Sequence, residues 1–150
     1  MSDDAIWTVL RKVQLDTFVR KLDAQLDTKL EKSGDNLSMG QKQLLCLGRA
    51  LLKKTQILLI DEATANVDPY TDKLIQETIR KEFSEQTVLT IAHRLDTIID
   101  YGRIFVMDSG KLVESGSPNQ LLSDSSSYFY ALATKSKDFA SLVESAKKHQ

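Results

Sequence analysis

The sequence predicts a layered α/β domain built on a mostly parallel sheet, and three observations carry that prediction. A short apolar run, Ile57 to Ile60, is bounded by polar residues, as a strand of a buried parallel sheet is, and Thr87 to Ile91 reads as a second strand. Between them lies a segment with a helix-start signal, Asp68-Pro69, and apolar residues Ile75, Ile79 and Phe83 at intervals of four. Ahead of them, Ser38 opens a leucine-rich helical stretch. Strands alternating with helices are the pattern of parallel crossover units.

Composition bounds the rest. A chain of 150 residues suffices for an ordinary domain with its own core. Hydrophobic content of 41% and charged content of 27% are those of a soluble globular protein. Lys+Arg of 20 against Asp+Glu of 21 gives a net charge of −1, so no general attraction to nucleic acid or membrane is implied. Apolar runs are far too short to span a bilayer, and the acidic start Met1-Ser2-Asp3-Asp4 is unlike a signal peptide. The single Cys46 has no partner for an internal disulfide, and its apolar helical setting predicts a small core residue in a cytosolic chain. Cys46, His93 and His149 show no metal-ligand spacing.

In chain order, residues 2–13 read as a helix capped by Ser2, with Ile6, Val9, Leu10 and Val13 on one stripe. A second short helix, 16–22, is expected to bury Phe18, Val19 and Leu22. Residues 23–36 are polar and aperiodic and predict an extended loop. A helix runs from Ser38 to about Lys53, burying Leu44, Leu45, Leu47, Leu51 and Leu52, and the strand 57–61 follows, covered on both faces. After the helix opened by Asp68 and the strand 87–91, His93 precedes a short helix over 95–99. Ile104 to Met107 and Leu112-Val113 flank Asp108-Ser109-Gly110-Lys111, a hairpin signal. Ser117-Pro118 starts another helix. Residues 123–127 read as a Ser-rich linker, and Phe129, Leu132, Phe139, Leu142 and Val143 predict an amphipathic terminal helix. There is no internal repeat.

Two places carry chemistry. Leu37-Ser38-Met39-Gly40-Gln41 is a polar turn at a helix N-terminus, where exposed N–H groups and the helix dipole can hold a phosphate. Gly40 lets backbone approach a ligand closely. Ile57 to Ile60 ends in Asp61-Glu62, which can supply one carboxylate for a metal ion and one to handle a water. Plain helix capping by Ser38, and turn capping by the two acids, are the structural alternatives. Trp7, Tyr128-Phe129-Tyr130 and Lys147-Lys148 read as packing residues and a solvated helix end.

These segments together resemble the ATP-binding cassette ATPases. LSMGQ at 37–41 matches the family signature, and ILLIDE at 57–62 matches the Walker B strand with its adjoining glutamate. Ala65-Asn66-Val67-Asp68 stands where the D-loop does, and His93 where the switch histidine does. The resemblance covers about residues 3–122. LSMGQKQLLCLGRALLKK and DEATANVDPYTDKLIQ are most similar to the second cassette of subfamily C, the multidrug-resistance-associated transporters, where Glu62 is the usual residue.

The resemblance implies ATP and Mg²⁺ as cofactors. Ser38, Met39, Gly40 and Gln41 would bind the γ-phosphate, Asp61 would hold Mg²⁺, Glu62 would activate water, His93 would sense the γ-phosphate, and Asp68 would contact an opposing cassette. It also implies a P-loop NTPase-like partial domain: a helical-subdomain remnant at 1–36, the C-terminal part of a nucleotide-binding domain at 37–122, and a helical tail at 123–150. Partners would be a P-loop-bearing cassette and transmembrane domains, at the cytosolic face of a membrane.

One family element does not occur in the sequence. The sole Gly-Lys pair, Gly110-Lys111, is followed by Leu112 and has Phe105 at the first-glycine position, so it is no P-loop. The upstream adenine-stacking aromatic and Q-loop glutamine are absent as well. The expectation is therefore part of an exporter's cassette, inactive alone, in which the signature completes a partner's site. The alternative is a non-enzymatic module that pairs with another cassette and regulates it. A soluble DNA-repair or translation ATPase is disfavoured, because no coiled coil or tandem cassette accompanies the signature.

Overall fold

Helix capping sets most of the element boundaries. The computed structural model describes residues 2–61 and 67–148. It divides into two compact units, one ending at Ile91 and the other beginning at Ala92.

In the first unit, α1 (Asp3–Lys12) is capped by Ser2, and α2 (Asp16–Arg20) follows after a turn. α2 is two residues shorter than expected. Phe18 and Val19 pack against the core but stay half-buried, as does Leu22. Trp7 packs on the same core, with the Arg20 guanidinium 4.1 Å from its ring centroid. The expected loop 23–36 contains two 3₁₀ turns, Gln25–Asp27 and Lys32–Gly34. Asn36 ties it together, accepting from the Glu31 N–H at 3.2 Å and donating to the Lys29 carbonyl at 3.1 Å. Side-chain bonds of this kind need no apolar periodicity, so the pattern that reveals longer helices is missing here.

α3 (Met39–Lys53) and α4 (Pro69–Glu82) form the helical layer over a parallel pair, β1 (Ile57–Asp61) and β2 (Thr87–Ile91). Ile57 lies opposite Thr87 and Asp61 opposite Ile91. Leu10, Val13, Leu15, Leu44, Leu47, Ile60, Ile75, Ile79 and Phe83 make the buried core. Two expectations are corrected. Along α3 the buried positions are Gly40, Leu44, Leu47 and Gly48, with Leu45, Leu51 and Leu52 half-buried, and Cys46 is exposed. It lies two residues from Leu44, about 200° around the helix, so its apolar neighbours in sequence are not its neighbours in space. β1 is covered on one face only. Leu58 and Ile60 face the helices, while Ile57 and Leu59 are 62% and 72% exposed, joined by Leu89 and Ile91 of β2 at 50% and 59%.

The second unit opens with a 3₁₀ turn, Leu95–Thr97, where a short helix over 95–99 was expected. β3 (Ile104–Asp108) and β4 (Lys111–Gly116) form the predicted hairpin, as a two-stranded antiparallel sheet of their own. Ser109 and Gly110 both have positive φ, 48° and 76°, as a two-residue primed turn requires. A bulge after Val106 shifts the register. α5 (Pro118–Ser123) begins with a capping box of Ser117 and Gln120. The terminal helix is interrupted and forms α6 (Tyr128–Ala133) and α7 (Phe139–Lys148). Phe129 is fully buried among Ile104, Val106, Leu121, Leu122 and Leu142, and Tyr130 meets Phe139 edge-to-face at 5.4 Å. Lys148 pairs with Glu144 at 2.9 Å on the outer face of α7.

Residues 123–127, expected as a linker, are an ordered corner. Asp124 accepts from the Ser126 N–H and hydroxyl at 2.8 and 2.6 Å, which holds its carboxyl below the usual range. Buried Ser127 caps α6 and donates to the Glu114 carboxylate at 3.0 Å. Short hydroxyl side chains close turns as readily as they keep a linker solvated. Among the described residues, no helix is long and apolar enough to cross a membrane.

Candidate functional site

The signature turn is built by a reciprocal cap. Ser38 is in extended geometry (φ −65°, ψ 161°), its Oγ accepts from the Gln41 N–H at 3.2 Å, and Gln41 Oε1 accepts from the Ser38 N–H at 2.8 Å. Two donors of the turn are thereby satisfied. Gln41's N–H is engaged within the box, which leaves Met39 and Gly40 as the first-turn amides without an intrahelical acceptor. The Met39 side chain is exposed and Gly40 is buried. The helix dipole adds partial positive charge at this end. An apolar pocket of about 180 Å³ lies beside the turn, lined among others by Leu10, Phe18, Leu37 and Leu45. It has little to offer a phosphate, so anion chemistry belongs to the turn and not to the pocket.

Burial of Gly40 has a cause visible in the structure. A Cβ built at this position would fall inside the Thr71 methyl group and lie 3.3 Å from Thr71 Cβ. Glycine here permits close approach of α3 to α4, in addition to any approach of a ligand. Thr71 sits in the first turn of α4, whose N-cap is Asp68. Asp68 Oδ1 accepts from the Thr71 N–H at 3.0 Å. Hydrogen bonding by the Thr71 hydroxyl and then by its amide lowers the Asp68 carboxyl below its ordinary pKa. Asp68 is exposed, so it combines its capping role with a solvent-facing position. The fold therefore brings the start of α3 and the start of α4 together. Sequence reasoning missed Thr71, although its place three residues after an Asp-Pro helix start marks the position that a cap engages.

Asp61 is the last residue of β1 and is exposed. The carboxyl end of a parallel strand is where open α/β sheets bind ligands. Glu62, and Ala65-Asn66 of the D-loop segment, lie outside the described residues. Among the described residues there is no group of three or more His, Cys, Asp or Glu side chains able to hold a metal. A single strand-end carboxylate suits Mg²⁺, which keeps several waters and is bound through one or two carboxylates together with substrate phosphates. His93 is exposed, two residues past β2, and belongs to the second compact unit.

Comparison with known proteins agrees with these motifs. Residues 2–65 match the family model described as ABC transporter. The chain is 51% identical over 148 residues to ATP-binding cassette sub-family C member 4 of Homo sapiens, covering 97% of this chain and 11% of that protein. It is 57% identical over 110 residues to bile pigment transporter 1 of Saccharomyces cerevisiae, covering 73% of this chain and 7% of that one. Among solved structures, a bacterial Atm1-family ABC exporter with ATP bound is similar with a TM-score of 0.79 at 34% identity, covering 89% of this chain and 23% of that chain. The chain thus spans about a tenth of the length of the curated relatives it matches.

Proposed function

The chain belongs to the ATP-binding cassette family, with subfamily C transporters among its relatives, and we propose that it acts as the signature-bearing part of a cassette that couples ATP to solute export. The observation that carries this reading is the capped start of α3 set against the start of α4. In this reading Ser38 and the amides of Met39 and Gly40 bind the γ-phosphate of ATP held by a second, P-loop-bearing cassette. Gln41 keeps Ser38 in place through the capping box. Asp61 would hold Mg²⁺ together with the nucleotide phosphates, and the bound ion would neutralise charge developing on the transferred phosphoryl group. Where a P-loop holds a nucleotide beside the end of β1, Glu62 would orient and deprotonate the attacking water. His93 would, by its own family role, hydrogen-bond a γ-phosphate and report its presence. Asp68 faces the opposing cassette. By role the chain divides into a helical remnant (1–36), the catalytic-side segment (37–122) and a helical tail (123–150), at the cytosolic face of a membrane.

The 150 residues contain no P-loop, so the polypeptide by itself has nothing to grip the α- and β-phosphates. One hydrogen bond to a charged group contributes about 1.5–3 kcal/mol net, too little for tight binding of free ATP. The isolated chain should therefore not turn over ATP, and its association with a complete cassette should require Mg-ATP. The test is a pull-down or calorimetric titration with such a cassette, with and without Mg-ATP, for wild type and Ser38→Asp. Asp remains a good N-cap but sets a carboxylate against the phosphate. Nucleotide-dependent association lost in Ser38→Asp is the expected result. Equal association in all four conditions would instead support the non-enzymatic pairing module. Turnover by the purified chain that disappears in Glu62→Gln would overturn the prediction of inactivity.

A further inference from the structure

Thr71 stands between the start of α3 and the cap of α4. Its methyl group occupies the space next to Gly40 in the first turn of α3. Its amide donates to Oδ1 of Asp68, the exposed cap of α4, at 3.0 Å, and its hydroxyl helps to lower the Asp68 carboxyl below its ordinary pKa. A serine would keep the hydroxyl and lose the methyl; a valine would keep the methyl and lose the hydroxyl. Thr71 itself is half-buried, so part of its side chain is fixed by packing and its rotamer is constrained by β-branching.

We propose that Thr71 is a positioning residue that fixes the start of α3, with its Met39 and Gly40 amides, relative to Asp68, so that the phosphate-facing turn and the partner-facing carboxylate move as one piece. The proposal rests on the reading of Ser38 to Gln41 as a phosphate-binding turn. Thr71 acts through Gly40 and Asp68. The physical basis is steric on one side and hydrogen-bonding on the other. Gly40 has no side chain to yield when α4 shifts, so a displacement of Thr71 is passed directly to the α3 backbone.

The test uses the full chain in two measurements. In the first, amide resonances of Met39 to Gln41, Asp68 and Thr71 are followed by NMR in the free chain. In the second, the enhancement by Mg-ATP of binding to a complete cassette is measured. Gly40→Ala should shift the Asp68 and Thr71 amides and reduce the Mg-ATP enhancement by roughly tenfold, within the range of coupling seen between contacting residues. Adding Thr71→Ser removes the methyl that the alanine strikes, and should return the amide shifts and restore the enhancement to within about threefold of wild type. Thr71→Val should leave the Gly40 amide in place but raise the Asp68 carboxyl pKa towards its ordinary value, and weaken the enhancement.

Failure of Thr71→Ser to rescue Gly40→Ala in both measurements would overturn the proposal, as would a Thr71→Val variant identical to wild type in both. A merely space-filling Thr71 predicts that last result, because valine fills the same space. Absence of any Mg-ATP effect in wild type would sink the phosphate reading itself. The cross-element amide shifts, which need no nucleotide, would then decide whether Thr71 links the two helix starts.

Discussion

The two compact units each hold a two-stranded sheet with one closed face, and they close it by different means. In the first, β1 and β2 are parallel, with the whole of α4 between them in sequence, and Leu58, Ile60 and Val88 pack on a core that α1, α3 and α4 also supply. In the second, β3 and β4 meet across the Ser109-Gly110 turn, and Ile104 and Val106 pack on helices that follow them. A single polar residue helps there: Glu114 of β4 accepts from the Ser127 hydroxyl at 3.0 Å and the Phe129 N–H at 2.9 Å. The hairpin's register is set locally by its turn, whereas the parallel pair depends on packing between distant segments. Both leave an apolar face open, Ile57, Leu59, Leu89 and Ile91 in one unit and Phe105, Met107 and Leu112 in the other.

The sharpest way to break the comparison is to remove the centre of one core. Phe129→Ala should cost about 3–5 kcal/mol. Hydrogen exchange should show protection lost from β3 through α7 and retained in β1 and β2. Simultaneous loss from Ile57 to Ile91 would mean that the two cores unfold as one.

Glu114→Gln comes next in size. It weakens two charge-assisted hydrogen bonds at the start of α6 and should cost about 1–3 kcal/mol, read by urea denaturation. No change would show that the corner 123–127 does not depend on the charge of Glu114.

Leu59→Thr addresses the open face. With 72% of its surface exposed, Leu59 should be replaceable with a stability change within about 0.5 kcal/mol. Self-association, measured by sedimentation, should fall, because an open apolar strand face favours it. Destabilisation on the scale of a core substitution would mean that this face is covered in solution.

The smallest effect is the pH dependence of the α4 cap. Asp68 is ionised more readily in the folded chain than at its ordinary pKa of 3.8, because Thr71 donates to it. Its contribution is therefore complete above that value and is lost as pH falls through the lower, folded one. NMR titration of the Thr71 amide should show a midpoint below 3.8 in wild type and no titration of that amide in Asp68→Asn. A wild-type midpoint at or above the ordinary value would refute the cap as drawn.

Several site features were readable from residues alone. Ser38, Ser117 with Pro118, and Asp68 with Pro69 read as helix starts, and Ser38, Ser117 and Asp68 each form the cap in the structure. Ile75, Ile79 and Phe83 are buried as their spacing indicates. Thr71 was not legible in this way. Its contact with Gly40 joins residues about thirty positions apart, and neither the helical period of α3 nor that of α4 contains information about where the other helix crosses.

The starts of the helices at Ser2, Ser38, Asp68 and Ser117, and the hairpin turn, were legible in the residues, because they depend on bonds three or four residues long and on backbone conformations that few residue types adopt. The tertiary structure decided which faces are covered. It put Cys46 on the open side of α3, left Ile57 and Leu59 exposed on a strand that reads as buried, and turned a serine run into the ordered corner on Glu114. It also gave Gly40 its neighbour. Burial is a property of what packs against a residue, and an apolar run has the same letters whether one layer of helices covers it or two.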